Sequence, residues 1–140
     1  MRSGSRRSQR RKTTTMATKK PKGVIWLPDV ERHDYAAAES YLTLLFPADQ
    51  ARDMVSRLKK AKVGPYKAKD IFRASRLPLL PATNSHVTKD RAMMRRGEGL
   101  SPLLLIRVRR GSRVEIADGY HRLCAVYMTD EDAWIHCKIA

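Results

Sequence analysis

The sequence predicts an α+β domain in which several helices pack against a small sheet. Between Tyr35 and Arg96 apolar residues recur three and four apart, the spacing of helices with one buried face. From Leu103 onward they alternate or run continuously, as in strands. A change in charge marks where the domain begins. The first 22 residues hold nine Lys or Arg and no acid, whereas the remainder has 20 basic and 14 acidic residues, +6 of the total +15. A basic, Ser/Thr-rich stretch without apolar periodicity cannot bury enough surface to fold. Residues 1–22 therefore read as a disordered basic arm and 23–140 as one domain, which is what 140 residues can support.

Within the domain, Val24–Leu27 is an apolar run suited to an edge strand ending at Pro28. Asp34 is placed to cap a helix over Tyr35–Phe46, whose face is Tyr41, Leu42, Leu45 and Phe46. Pro47 opens a second helix, Ala48–Ala61, with Ala51, Met54, Val55 and Leu58 inward; Val63-Gly64-Pro65 ends it. A third, Lys67–Arg76, buries Ala68, Ile71, Phe72 and Ser75 and leaves Lys67, Lys69, Arg73 and Arg76 as a basic stripe. Pro78-Leu79-Leu80-Pro81 is a rigid connector, and Thr88 caps a fourth helix, Lys89–Arg96, closed by glycines. Strands follow at Leu103–Val108 and Arg113–Ala117, then a helix, then a closing strand from Ala133 to Ile139.

The junction between the second of those strands and its helix is the part richest in chemistry. Strand alternation through Val114 and Ile116 meets Asp118-Gly119-Tyr120-His121-Arg122, and helical spacing resumes at Leu123, Val126 and Tyr127. Asp118 suits the N-cap, and Gly119 lets the backbone approach a ligand. Free first-turn amides, the positive end of the helix dipole and the fork of Arg122 then suit a phosphate, with His121 as donor or acid–base group. The same residue types also fit an ordinary capped junction with a solvated Arg.

Asp118-Gly119-Tyr120-His121-Arg122-Leu123-Cys124-Ala125 resembles the "DG-x-HR-x-x-A" signature of the ParB/sulfiredoxin superfamily. Ser101-Pro102-Leu103-Leu104-Leu105-Ile106-Arg107 is similar to the Pro-initiated strand before that signature, and Ala133–Ile139 to the family's closing strand. The resemblance spans Leu100 to Ile139. It implies a ParB/sulfiredoxin-like fold, a small mixed sheet packed with several helices.

Departures from the family narrow what it implies. Tyr120 stands where sulfiredoxin has its redox cysteine, so sulfinic-acid reduction is not expected; Cys124, one turn on, reads as a buried thiol. Chromosome-partitioning members carry a helix-turn-helix region after this domain, for which the chain, read to Ala140, has no room. The form is closer to stand-alone ParB-like domains, some of them nucleases, and to a free serine kinase of the same fold. The implied ligand is a nucleotide or phosphorylated molecule, the implied cofactor a nucleotide with Mg2+. Asp118 and His121 are then candidate catalytic groups, with Gly119, Tyr120, His121 and Arg122 around the phosphate. A second carboxylate has three candidates, Asp90, Glu98 and Glu115, and His86 precedes a helix that can point to the same pocket.

Other readings stay open. A non-catalytic module binding DNA or RNA would use the arm and Lys67, Lys69, Arg73 and Arg76; a degenerate domain would only bind partners. His33, His86, His121 and His136 lack zinc spacing, and Cys124 and Cys137 form no CxxC pair. No apolar run spans a membrane, and the N-terminus lacks the apolar core of a secretory signal, although its composition also suits a transit peptide. Cytoplasmic residence is the default expectation. Met16 offers a second translation start.

Overall fold

The computed structural model describes residues 23–109 and 111–140. The basic arm lies outside the described residues. The elements run α1 (Arg32–Leu42), α2 (Ala48–Lys60), β1 (Gly64–Lys67), α3 (Ala68–Ser75), α4 (Ser85–Arg95), β2 (Leu103–Arg107), β3 (Val114–Asp118), α5 (Tyr120–Thr129) and β4 (Trp134–Ile139). This is the expected α+β class with a small mixed sheet.

The sheet order is β1-β4-β2-β3. β2 pairs antiparallel with β3 and parallel with β4, while β1 pairs antiparallel with β4. β2 explains itself from sequence. Leu103 and Leu105 join α3 and α5 in one core, Leu104 and Ile106 join α1 and α2 in the other, so a strand buried on both faces reads as an unbroken apolar run. β3 and β4 divide in the same way, with Ile116, Ile135 and Cys137 toward α3 and α5 and Ala117 toward α1 and α2.

Several boundaries differ from expectation, each for a tertiary or capping reason. Val24–Leu27 makes a single bridge, Trp26 with Leu100, rather than a strand. Helix α1 starts at Arg32 after Glu31, so Asp34 is not a cap but a buried residue inside the first turn; the helix ends at Leu42. Pro47 precedes α2 as its N-cap, short of the first turn. Gly64–Lys67, read as a helix terminus and the start of the third helix, is the edge strand β1, where Pro65 costs no ladder partner on the open side. Helix α4 starts at Ser85, capped by Asn84, whose side chain accepts from the amides of His86 and Val87. Thr88 instead donates to the Ala82 carbonyl. Among the described residues no helix is long and apolar enough to cross a membrane.

Candidate functional site

The β3–α5 junction forms as anticipated, but its residues divide between two jobs. Gly119, not Asp118, occupies the N-cap, with φ 108°. That angle alone favours glycine. Packing requires it too: a Cβ here would lie 2.6 Å from Leu103 Cγ and 3.0 Å from Arg122 Nη2. The close approach at Gly119 is therefore to the protein's own core strand and Arg122.

Arg122 is not a solvated side chain. It is 17% exposed, and its Nη2 lies 3.0 Å from Asp118 Oδ2 and 3.4 Å from Asp34 Oδ2. The same nitrogen donates to the Pro102 carbonyl. Asp34, 5% exposed, presents its other oxygen to His33 Nε2 at 3.2 Å. The result is a clasp tying α1 to the β3–α5 junction and to the residue just before β2. Asp118 serves it as an ion-pair partner instead of capping, and no side chain caps α5. Burial raises the Asp118 carboxyl above its ordinary value, with Arg122 pulling it down and Asp34 pushing it up. Asp34 is the functional-looking residue that sequence reasoning assigned elsewhere. Its partner lies 88 positions away, so no local spacing could have signalled it.

The outward half of the motif is different. His121, in the first turn of α5, faces His86 in the first turn of α4, ring centroids 4.7 Å apart. Burial and the neighbouring His86 depress the His121 imidazole. Asp90, one turn after His86, is raised by burial and opposed by the positive charge of Arg122, His121, Lys89 and His86. Of the three candidate carboxylates, Asp90 is the one brought to this cluster. Glu98 pairs with Arg96, and Glu115 accepts from Tyr41 and Arg113 on the α1 side of β3. Tyr120 donates its hydroxyl to the Pro78 carbonyl and so fastens the connector before α4 to α5.

The other candidates fall into place around this pair. Cys124 and Cys137 are buried free thiols; burial raises both, Cys137 to about 12. The basic stripe does not form a single face. Lys67 lies in β1, Lys69 holds Asp132 at 2.6 Å, Arg73 reaches Asp70 at 3.5 Å, and Arg76 is the left-handed C-cap of α3. Glu31, His33 and Asp34 offer ligand atoms within 4.8 Å of one another. The Arg122 guanidinium on Asp34 works against a cation there. Compared with protein-family models, curated proteins and solved structures, the chain finds no match.

Proposed function

We propose that the chain is a ParB-like domain that binds a nucleotide or phosphate group at the start of α5, beside the paired rings of His121 and His86. The observation that carries this reading is the convergence of two imidazoles from the first turns of adjacent helices beside an uncapped helix N-terminus. Open amides and the helix dipole favour an anion. Either histidine adds a donor, and the positive charge of Arg122 and Lys89 extends to the same spot, as their pull on Asp90 indicates. In this reading Arg122 acts as a fixed charge held by Asp118 and Asp34, not as a free fork.

Phosphoryl transfer and phosphodiester hydrolysis both depend on positioning and electrostatics, which such an arrangement supplies. Asp90 is the carboxylate within the cluster, suited to accept a hydroxyl proton or to face a Mg2+ carried by a nucleotide. Thermal shift and calorimetry with ATP, ADP, CTP, GTP and inorganic phosphate, each with and without Mg2+, test the reading. Binding should weaken by about one to two orders of magnitude in His121→Ala, the cost of a charge-assisted contact of about 1.5–3 kcal/mol. His86→Ala should act in the same direction with the melting temperature nearly unchanged. Absence of any phosphate-dependent shift, or binding indifferent to both variants, would sink the proposal.

A further inference from the structure

We infer that the cleft between α3 and the hairpin end of the sheet binds a small carboxylic acid, its apolar body inside and its carboxylate on Arg107. The strand register places the walls. Arg107 and Val114 are cross-strand partners in β2 and β3, and Leu105 stands opposite Ile139 in the parallel pair of β2 and β4. Leu105 belongs to the core shared with α3, and Val114 and Ile139 pack against it. Arg107, two residues beyond Leu105, therefore stands on the same face. From α3, Asp70, Ile71 and Ala74 close the other side, and Tyr66 of β1 completes the rim. Leu105 and Ile71 are buried at the bottom, whereas Tyr66 is 43% exposed at the mouth.

Size and lining define the body of the ligand. The cavity measures about 180 Å³, and apart from Tyr66, Asp70 and Arg107 its side chains are aliphatic. An aliphatic cavity of about 150 Å³ stays dry and accepts benzene. Drug-sized ligands take clefts of about 300–1,000 Å³. A single ring, or a branched chain of similar bulk, therefore fits this space, and a nucleotide does not.

Charge defines its head. Among the described residues no carboxylate lies within ion-pair distance of Arg107, whereas Asp70 on the α3 side is held by Arg73 at 3.5 Å. Burial raises the Cys137 thiol and the positive charge of Arg107 lowers it, which agrees with a guanidinium over this face of the sheet. A guanidinium offers a planar fork that matches a carboxylate. A cationic head would meet Arg107 and Arg73 instead. A phosphate fits the fork too, but its second charge would face Asp70, so one negative charge suits the rim better. The cleft is separate from the β3–α5 junction: Val114 and Asp118 are the first and last residues of β3, about 13 Å apart along the strand.

The test titrates the full chain with benzoate and isovalerate, which separate a ring from a branched chain, and with benzyl alcohol, benzylamine and acetate as comparisons. Calorimetry gives affinity and amide NMR gives location. At least one of the two acids should bind with a dissociation constant at or below about 1 mM. It should shift the amides of Leu105, Val114 and Ile139. Benzyl alcohol should bind about tenfold more weakly than benzoate, the effect of one charge-assisted contact, and benzylamine and acetate more weakly still. Arg107→Met keeps an apolar stem and should erase the preference for benzoate over benzyl alcohol. Ala74→Leu, at an exposed helix position that Leu suits, should fill the cleft and abolish binding of both with the melting temperature nearly unchanged. No binding by either acid, equal affinity for benzoate and benzyl alcohol, or affinities unaltered in both variants would overturn the inference. Amide shifts confined to His86 and His121 would overturn it as well, since the anion would then sit at the helix termini. Arg107 is exposed, so its variant decides the question even if Ala74→Leu fails to fold.

Discussion

The two halves of the segment Asp118–Arg122 face opposite ways. Asp118 at the end of β3 and Arg122 on the inner side of the first turn of α5 close an ion-pair clasp with Asp34. His121, between them in sequence, turns outward to His86. One half is judged by what it holds together and the other by what it leaves open. Adjacent residues in a helix point about 100° apart, so neighbouring positions in a compact motif need not share a function. A phosphate drawn to this junction would meet His121 and the amides, while Arg122 contributes charge from a position fixed by the fold.

Breaking the inner half should have the largest effects. Gly119→Val forces a branched side chain into a left-handed position and against Leu103. Backbone strain and overpacking together should cost roughly 4 kcal/mol, a large part of a small domain's stability. Thermal and urea unfolding monitored by circular dichroism would show it; a near-normal melt would mean that the junction relaxes freely. Arg122→Ala comes next. It leaves two buried carboxylates near each other without their cation, for which a loss of about 3 kcal/mol is expected. This prediction reverses what a solvated Arg122 would show.

The pH dependence identifies the cause. Asp118 already titrates above its ordinary 3.8 through burial, and removing Arg122 removes the main influence holding it down. A carboxyl raised in the folded state stabilises that state below its unfolded pKa and loses this contribution as pH rises through the folded value. The deficit of Arg122→Ala should therefore be greatest near neutrality and shrink on acidification. A deficit independent of pH would mean lost packing rather than unpaired charge. The outer half should respond more weakly. Tyr120→Phe removes the bond to the Pro78 carbonyl and should cost about 1 kcal/mol, measurable as faster proteolysis of the connector.

Much of this arrangement was legible in advance where burial follows local period. Ala51, Val55 and Leu58 marked the inner face of α2, and the apolar run from Leu103 marked a strand, to which the structure adds burial on both faces. The strand–Gly–helix junction was legible as well. What could not be read was set by distant partners. β1 contains Gly64 and Pro65 and becomes a strand only by pairing with β4, some 70 positions later. Asp34 looked like a helix cap because Asp before an alanine-rich run usually is one. Its true partner, Arg122, belongs to another element, and the same ion pair converts an apparent phosphate fork into a structural contact. Local signals find helices and turns; they do not rank the competing uses of a charge.

The smallest expected effect sharpens the outer half. His121 should titrate below the ordinary 6.5, because burial disfavours its charged form and His86 adds repulsion, against an opposing pull from Asp90 and a further push from Arg122. An imidazole depressed in the folded state contributes stability above the unfolded pKa and loses it as pH falls through the folded value. The stability change is small for a ring that is only partly buried, so the direct observable is the NMR titration of the His121 ring proton. His86→Ala should move its midpoint upward and Asp90→Asn downward. Saturating phosphate should raise it, since an adjacent anion favours the imidazolium. If the midpoint lies above 6.5 and ignores both substitutions, the two imidazoles do not share an environment. If the substitutions act but phosphate does not, the pair exists and the anion binds elsewhere.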